Sequence, residues 1–413
     1  LKKVNYDFMK KFRKMITIGK EELNVASKVI KSGQLSYFLG ERNKDFFGGK
    51  NVKKFEKNIE NFYKVKHAIT VNSWTSGLIC AVGALNLKPG DEIILPTWTM
   101  TACSAAILHW NYIPVFADIN IKTFNISETD ILKKISKRTR AIMSVDIFGY
   151  PANLIKIRKI AKKFNLKIIS DCAQSPYSFI KNNHACNYAD ISGFSYNYHK
   201  HINTGEGGVV VTNNDTYAKR IKLIRNHGEK IIKFNDKNKN IIGYNFRLGE
   251  IEAAIGIEQL KKLKKIVKKK QKAAKILFKG LKNLKGLNLP FVEKNFTHSF
   301  YVFAMSINTK IIKTKTQDIK KLLNTNGIKV SNRYQNLHLL PLFQNKIGYD
   351  KNFPWILNKR KINYKKGICP NAEFLNDKSF IGLNLCNFDY SESDLSYIIK
   401  CFKYIWKKKI LFY

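Results

Sequence analysis

The 413-residue chain is 44% hydrophobic and 12% aromatic, enough apolar material for a large core, which excludes a disordered chain. Its formal net charge of +44 is carried by lysines on almost every segment rather than in one block. The charge is therefore read as solubility and steering of anions, not as a specific nucleic-acid footprint or a means of membrane insertion.

No apolar run approaches the roughly 20 residues that a bilayer span needs. Seven scattered cysteines without a CxxC pair argue against a zinc knuckle or a disulfide framework, and for a reducing, cytoplasmic compartment. The basic stretch LKKVNYDFMKKFRKM has no apolar h-region or small-residue cleavage site, so the expectation is that it is no secretory signal.

Residues 20–63 predict two helical pieces separated by the glycine-bearing SGQLSYFLGERNKDFFGGKN. From residue 65 strands and helices alternate. VKHAITV reads as a short strand, TSGLICAVGAL as a helix, and EIILP, after the KPGDE turn, as a strand. A helix follows around 101–110, then the strand IPVFADI, a helix at 127–136, the strand RAIMSVDIF, a helix at 153–164 and the strand LKIISD. GGVVVTN, at 207–213, is another apolar strand. This alternation predicts an α/β fold with a mostly parallel sheet covered by helices on both faces.

Near residue 248 the pattern changes to one long helix, or two in line, ended by Gly286; its many lysines predict a solvated face. HSFYVFAMSI as a strand, with helices at 316–326 and 391–408, completes a smaller α+β unit. The expected division is a large domain over 1–262, and a linking helix with a small C-terminal domain over 263–413.

Ligands of open α/β sheets bind beyond the carboxyl ends of the strands, so the residues there carry the chemistry. NSWTSG follows the first strand and enters a helix, where Ser, Thr and free backbone amides make a phosphate seat or simply an N-cap. Asp171, in DCAQS, ends another strand. SYNYHKHINTGEGG, at 195–208, places Lys200 between two histidines. A metal site there lacks a third ligand and an acidic cluster, so metal binding is not expected. A solvated lysine or a catalytic amine remains. A phosphate seat, a buried carboxylate and a lysine are together what pyridoxal phosphate requires: the lysine amine condenses with the aldehyde, and the carboxylate keeps the ring nitrogen protonated. An ammonium at its reference pKa of about 10.4 is no nucleophile, and burial beside other cations lowers that value.

An ordered set of motifs carries a resemblance. It comprises SG (32–33), FGGKNVKKFE (47–56), VNSWTSGL (71–78), KPGDEIILPTWT (88–99), IPVFADI (113–119), DCAQ (171–174), the stretch from Lys200 to Asn213, and GYNFRLGEIEAAIGIEQL (243–260). From about Ile18 onward the chain resembles the DegT/DnrJ family of pyridoxal-phosphate-dependent nucleotide-sugar aminotransferases, a fold-type I family. The resemblance implies that Lys200 carries the internal aldimine, Asp171 pairs with the pyridine nitrogen and Gln174 approaches the ring hydroxyl. It implies that the Thr75 and Ser76 amides and the Ser195 hydroxyl hold the phosphate. It further implies that Asn245 is lent across a homodimer interface to the partner's phosphate, and that Arg247 and His338 touch substrate.

Several residues depart from the family's pattern. Trp74 stands where most members have glycine, so its side chain must point away from the cofactor or the loop must bend. Met100 occupies a place that commonly supplies an aromatic face to the ring, with Trp98 close by. Cys172 replaces a small alanine and reads as core filling. Tyr334-Gln335-Asn336 alters the signal ahead of His338.

The function implied is transfer of an amino group from an amino acid, L-glutamate, to a nucleotide-linked keto-sugar, with the pyridoxamine form of the cofactor in the second half-reaction. Products of such enzymes feed polysaccharide and other amino-sugar synthesis. The competing readings are a deoxysugar dehydratase of the same family, a branch that places histidine at the lysine position, and a non-catalytic polyanion-binding homologue.

Overall fold

A computed structural model describes residues 10–40, 44–228, 241–331, 334–350 and 352–413. Residues 1–9 of the basic N-terminal stretch, part of the loop before residue 44, and Arg333 ahead of Tyr334 lie outside the described residues.

The two N-terminal helical pieces form as α1 (Lys20–Lys31) and α2 (Lys50–Tyr63). The alternating segment then runs β1 (His67–Val71), α3 (Trp74–Ala84), β2 (Glu92–Pro96), α4 (Thr101–His109), β3 (Ile113–Ala117), α5 (Glu128–Lys134), β4 (Thr139–Val145), α6 (Leu154–Lys163) and β5 (Lys167–Asp171). A small hairpin, β6 (Phe179–Ile180) and β7 (Asn183–His184), precedes β8 (Ile191–Ser195), β9 (Gly208–Thr212) and α7 (Asp215–Arg225). α8 (Glu250–Leu281) is a single 32-residue helix rather than two.

The second part holds β10 (Leu287–Asn288), β11 (Val302–Ile307), α9 (Thr316–Thr325), β12 (Val330–Ser331), α10 (Pro341–Gln344), α11 (Pro370–Phe374), β13 (Phe380–Asn384) and α12 (Glu392–Lys408). Among the described residues no helix is long and apolar enough to cross a membrane.

Among the elements that differ from expectation, three bear on the site. The strand over 140–148 stops at Val145, because Asp146 opens a 3-10 turn in which Phe148 adopts φ 58°. β8 and α7 were not anticipated. Ser and Gly dilute the apolar signal of ISGFS. For α7 the signal was present, with Asn214 capping the Tyr217 amide ahead of buried Ala218, Ile221 and Ile224.

The main sheet has the order β1-β9-β8-β5-β4-β2-β3. It is parallel except for β9, which pairs antiparallel with both β1 and β8. Two reversals leave β1 running the same way as β8, so Val71, Pro96, Val145, Asp171 and Ser195 all end at one edge of the sheet. Its two faces are sorted by the period of two along a strand. Val209 and Val211 pack with α2 and α8 residues such as Phe55 and Ile257, while Val210 joins the core on the α3 side.

A second core forms around the antiparallel sheet β10-β11-β13-β12, with Leu277 of α8, Leu323 of α9 and Phe402 of α12. Most lysines of α8 are solvated. Lys270 is the exception, buried with Nζ donating to the Phe388 carbonyl at 2.8 Å.

Candidate active site

The edge where the parallel strands end gathers most of the expected groups. Ser73 is the N-cap of α3, and its Oγ accepts from the Ser76 amide at 3.1 Å. Helix geometry aims the neighbouring first-turn amides, Thr75's among them, out of the helix end, and Thr75 itself is exposed. Ser195 lies alongside: Ser195 and Val71 both pair in register with Gly208, from opposite sides of β9. The Asn72 amide donates to the Phe246 carbonyl at 2.9 Å, which ties the 243–247 segment to the start of α3. Asn245 is exposed there, and its Oδ1 accepts from Arg247 Nε at 2.8 Å. Arg247 also donates to the Phe38 carbonyl at 3.3 Å.

Asp171, the last residue of β5, is buried. One carboxylate oxygen accepts from the Ala173 amide at 3.0 Å and the other from the Cys103 thiol at 3.3 Å. Burial pushes its carboxyl above the usual carboxylate range, while the Ala173 N–H and the Lys200 charge pull it back toward the ionised form. Burial pushes Cys103 well above the ordinary thiol range, so Cys103 keeps its proton and serves as donor.

Lys200 sits in a loop closed by Tyr196 N to Gly207 O at 2.9 Å and Thr204 N to Tyr196 O at 3.0 Å. Its amine lies 5.0 Å from the Tyr301 ring centroid. Burial lowers the amine below the usual lysine range, with Asp171 opposing that shift. His201 turns the other way: it is buried, its Nε2 donates to the Ser299 carbonyl at 2.9 Å, and burial depresses it to about 3. His199 is also depressed by burial, to about 4. Among the described residues no group of three His, Cys, Asp or Glu side chains could hold a metal ion.

Gln174 is buried, with Oε1 accepting from the Phe148 amide at 2.7 Å and Nε2 donating to the Tyr334 hydroxyl at 2.8 Å. Trp98 is fully buried in an aromatic cluster with Phe124, Phe148 and Phe380, and its Nε1 donates to the Tyr334 carbonyl at 2.6 Å. Trp98 therefore offers no open face to a ligand, whereas Met100, at the start of α4, is 57% exposed.

His338 requires correction as a substrate contact. It is fully buried, with Nδ1 at 2.6 Å from Thr97 Oγ1 and Nε2 at 3.0 Å from Glu373 Oε1. Both ring nitrogens are engaged inside the core. The aromatic that reaches the site from that stretch is Tyr334. Cys103, Tyr301 and Tyr334 went unassigned because each arrives from a distant part of the chain; only the tyrosine ahead of His338 left a trace in the sequence.

The sequence matches the DegT/DnrJ/EryC1/StrS aminotransferase family over residues 18–357. The chain belongs to that family. This aminotransferase is 31% identical over 298 residues to the GDP-perosamine synthase of Vibrio cholerae, covering 72% of this chain and 80% of that protein. It superposes with a TM-score of 0.80 on Helicobacter pylori PseC, an aminotransferase involved in the biosynthesis of pseudoaminic acid, at 26% identity over 96% of this chain and 100% of that one. The E. coli GDP-4-keto-6-deoxy-D-mannose-3-dehydratase with bound hydrated PLP also shares the fold, with a TM-score of 0.80, 24% identity and coverage of 95% and 100%.

The enzyme is a pyridoxal-phosphate-dependent sugar aminotransferase. The residues at the strand ends fit that cofactor. A buried carboxylate sits near an amine that no hydrogen bond holds among the described residues, and a helix N-terminus of eleven residues opens at the same edge.

Proposed function

We propose that this aminotransferase moves the amino group of an amino acid, L-glutamate, to a nucleotide-linked keto-sugar, with Lys200 as the amine that binds the cofactor. The observation that carries the reading is that the Lys200 amine lies against the Tyr301 ring within electrostatic reach of Asp171, while the neighbouring His201 is committed to the core. The bound cofactor supplies an electron sink for the carbon that loses or gains the amino group.

The protein supplies the rest. Asp171 would face the ring nitrogen and keep it charged, with Ala173 and Cys103 fixing the carboxylate. Thr75, Ser76 and Ser195 would hold the phosphate at the start of α3, the Ser76 amide by exchanging its bond to Ser73 Oγ for one to the phosphate. Gln174, braced by Phe148 and Tyr334, would lie toward the ring hydroxyl. Exposed Met100 would be the side chain left to cover the ring's face. Burial holds the Lys200 amine below the usual lysine range, the direction that suits a group passing a proton. Asn245 and Arg247, at the surface beside α3, suit a homodimer in which Asn245 reaches the partner's phosphate and Arg247 an anionic substrate. The boundary between the two units, 262/263, falls inside α8.

The test is the absorbance spectrum of the protein given pyridoxal phosphate, before and after L-glutamate, beside Lys200→Ala. The reading predicts a visible band that borohydride fixes covalently in the wild type, that glutamate shifts, and that is never fixed in the variant. A band that ignores every amino acid while the sugar loses water would move the enzyme to the dehydratase reaction. No band in the wild type would overturn the proposal.

A further inference from the structure

Trp74 is 6% exposed, and its ring fills a slot left open by two glycines. A Cβ at Gly193 would fall 1.9 Å from Cζ3 and 2.1 Å from Cη2 of the indole, and one at Gly77 would fall 2.5 Å from Cε3. Gly193 is the register partner of Asp171 between β5 and β8. Paired residues of adjacent strands share a sheet face, so the indole lies on the face that carries the Asp171 carboxylate, one strand away.

The indole Nε1 is buried and, among the described residues, has no partner within ordinary hydrogen-bond geometry. Indole nitrogen only donates, and buried donors in folded proteins almost always have an acceptor. The acidic group beside it is Asp171, whose carboxyl the Trp74 side chain helps to hold in the ionised form. Asp171 has room for another donor: Ala173 and Cys103 occupy one site on each oxygen, and a carboxylate offers about four.

We infer that Trp74 is a positioning residue, which donates its indole N–H to Asp171 and aims that carboxylate at the cofactor's ring nitrogen. The inference rests on the pyridoxal phosphate reading of this site. With Ala173 and Cys103 it makes a three-donor cradle that leaves one carboxylate position facing the ring. Hydrogen bonds of this kind are commonly long in unloaded enzymes and tighten on loading. The bulky residue in the phosphate-seat turn thus points beneath the seat, toward the group that sets the cofactor's charge.

Trp74→Phe separates this role from packing, because it keeps an aromatic ring in the slot and removes the N–H. The apo protein is labelled with 15N at its tryptophan indoles, and the signal lost in Trp74→Phe is that of Trp74. The inference predicts that this signal shifts in Asp171→Asn and moves downfield when pyridoxal phosphate is added to the wild type. It also predicts that Trp74→Phe binds the cofactor about tenfold more weakly, about 1.4 kcal/mol, while its apo unfolding midpoint stays within error of the wild type.

A Trp74 signal indifferent to Asp171→Asn, or cofactor binding unchanged in Trp74→Phe, would overturn the inference. If Trp74→Phe does not fold, the wild-type loading shift decides, and an unmoved signal refutes. If the wild type takes no cofactor, the proposed function fails, and the apo comparison with Asp171→Asn still decides the contact.

Discussion

Gly77→Ala is expected to destabilise the protein only while Trp74 is present. A Cβ at Gly77 would stand 2.5 Å and 2.8 Å from Cε3 and Cζ3 of the indole, against an ordinary carbon contact of about 3.5–4.0 Å. Ring or helix must therefore yield by about 1 Å, and overpacking of that kind costs about 1–3 kcal/mol. Alanine in place of a helical glycine returns about 0.5–1 kcal/mol, so the net effect is a loss of up to about 2.5 kcal/mol.

With Trp74→Ala in place, the next atom is Val210 Cγ2 at 3.3 Å, a side-chain methyl that needs to give only slightly. There Gly77→Ala should stabilise by about 0.5 kcal/mol, although Trp74→Ala alone costs about 3–5 kcal/mol. Guanidinium unfolding of the four apo proteins, followed by circular dichroism, measures the coupling, expected at about 1–3 kcal/mol. A coupling below about 0.5 kcal/mol would refute the placement of the ring over Gly77.

Three further outcomes follow from the site. Lys200→Ala should lower turnover by about 10²–10⁴-fold through lost proton transfer alone; a variant within tenfold of the wild type, read by glutamate-dependent amination, would remove Lys200 from the chemistry. His201 has a folded pKa depressed from 6.5 to about 3, so its contribution is complete above the unfolded value and is lost as pH falls below about 6.5. Between pH 7 and pH 5 the wild type should therefore lose about 2 kcal/mol more than His201→Leu, measured by urea unfolding; equal losses would contradict a buried neutral imidazole. His338→Phe takes the imidazole partner from Thr97 Oγ1 and Glu373 Oε1 in the core and should destabilise by about 1–3 kcal/mol, while activity per folded molecule stays within about twofold; a large rise in the sugar KM at unchanged stability would restore it as a substrate contact.

The groups most readily read from sequence are those whose setting is local. Ser73 ahead of a helix, Asp171 at the end of an apolar strand and Lys200 before a glycine turn each carry their surroundings in neighbouring residues, and their elements formed where expected. His338 failed that test because its partners, Thr97 and Glu373, come from 241 and 35 residues away. Trp74 stood out as an oddity, yet its direction depends on empty space at Gly193, a residue in a strand that went unnoticed. The reversed β9 was likewise hidden, since a continuous apolar run such as GVVVT is buried on both faces whichever way it points.

α8 is a shaft about 48 Å long at 1.5 Å per residue. Its first half presents Ala253, Ile257, Leu260 and Leu263 to the core beside the main sheet, and its second half presents Ala274, Leu277 and Leu281 to the core of the small sheet. α1 and α2 cover one end and α12 the other. A chain cut just after this helix would keep the shaft but bare the apolar stripe of its far end, and fraying there would run back toward the start of α8, where Glu250 caps α2 through the Asn51 and Val52 amides. Loss of the C-terminal elements would thus reach α2 along the whole length of α8, about 48 Å.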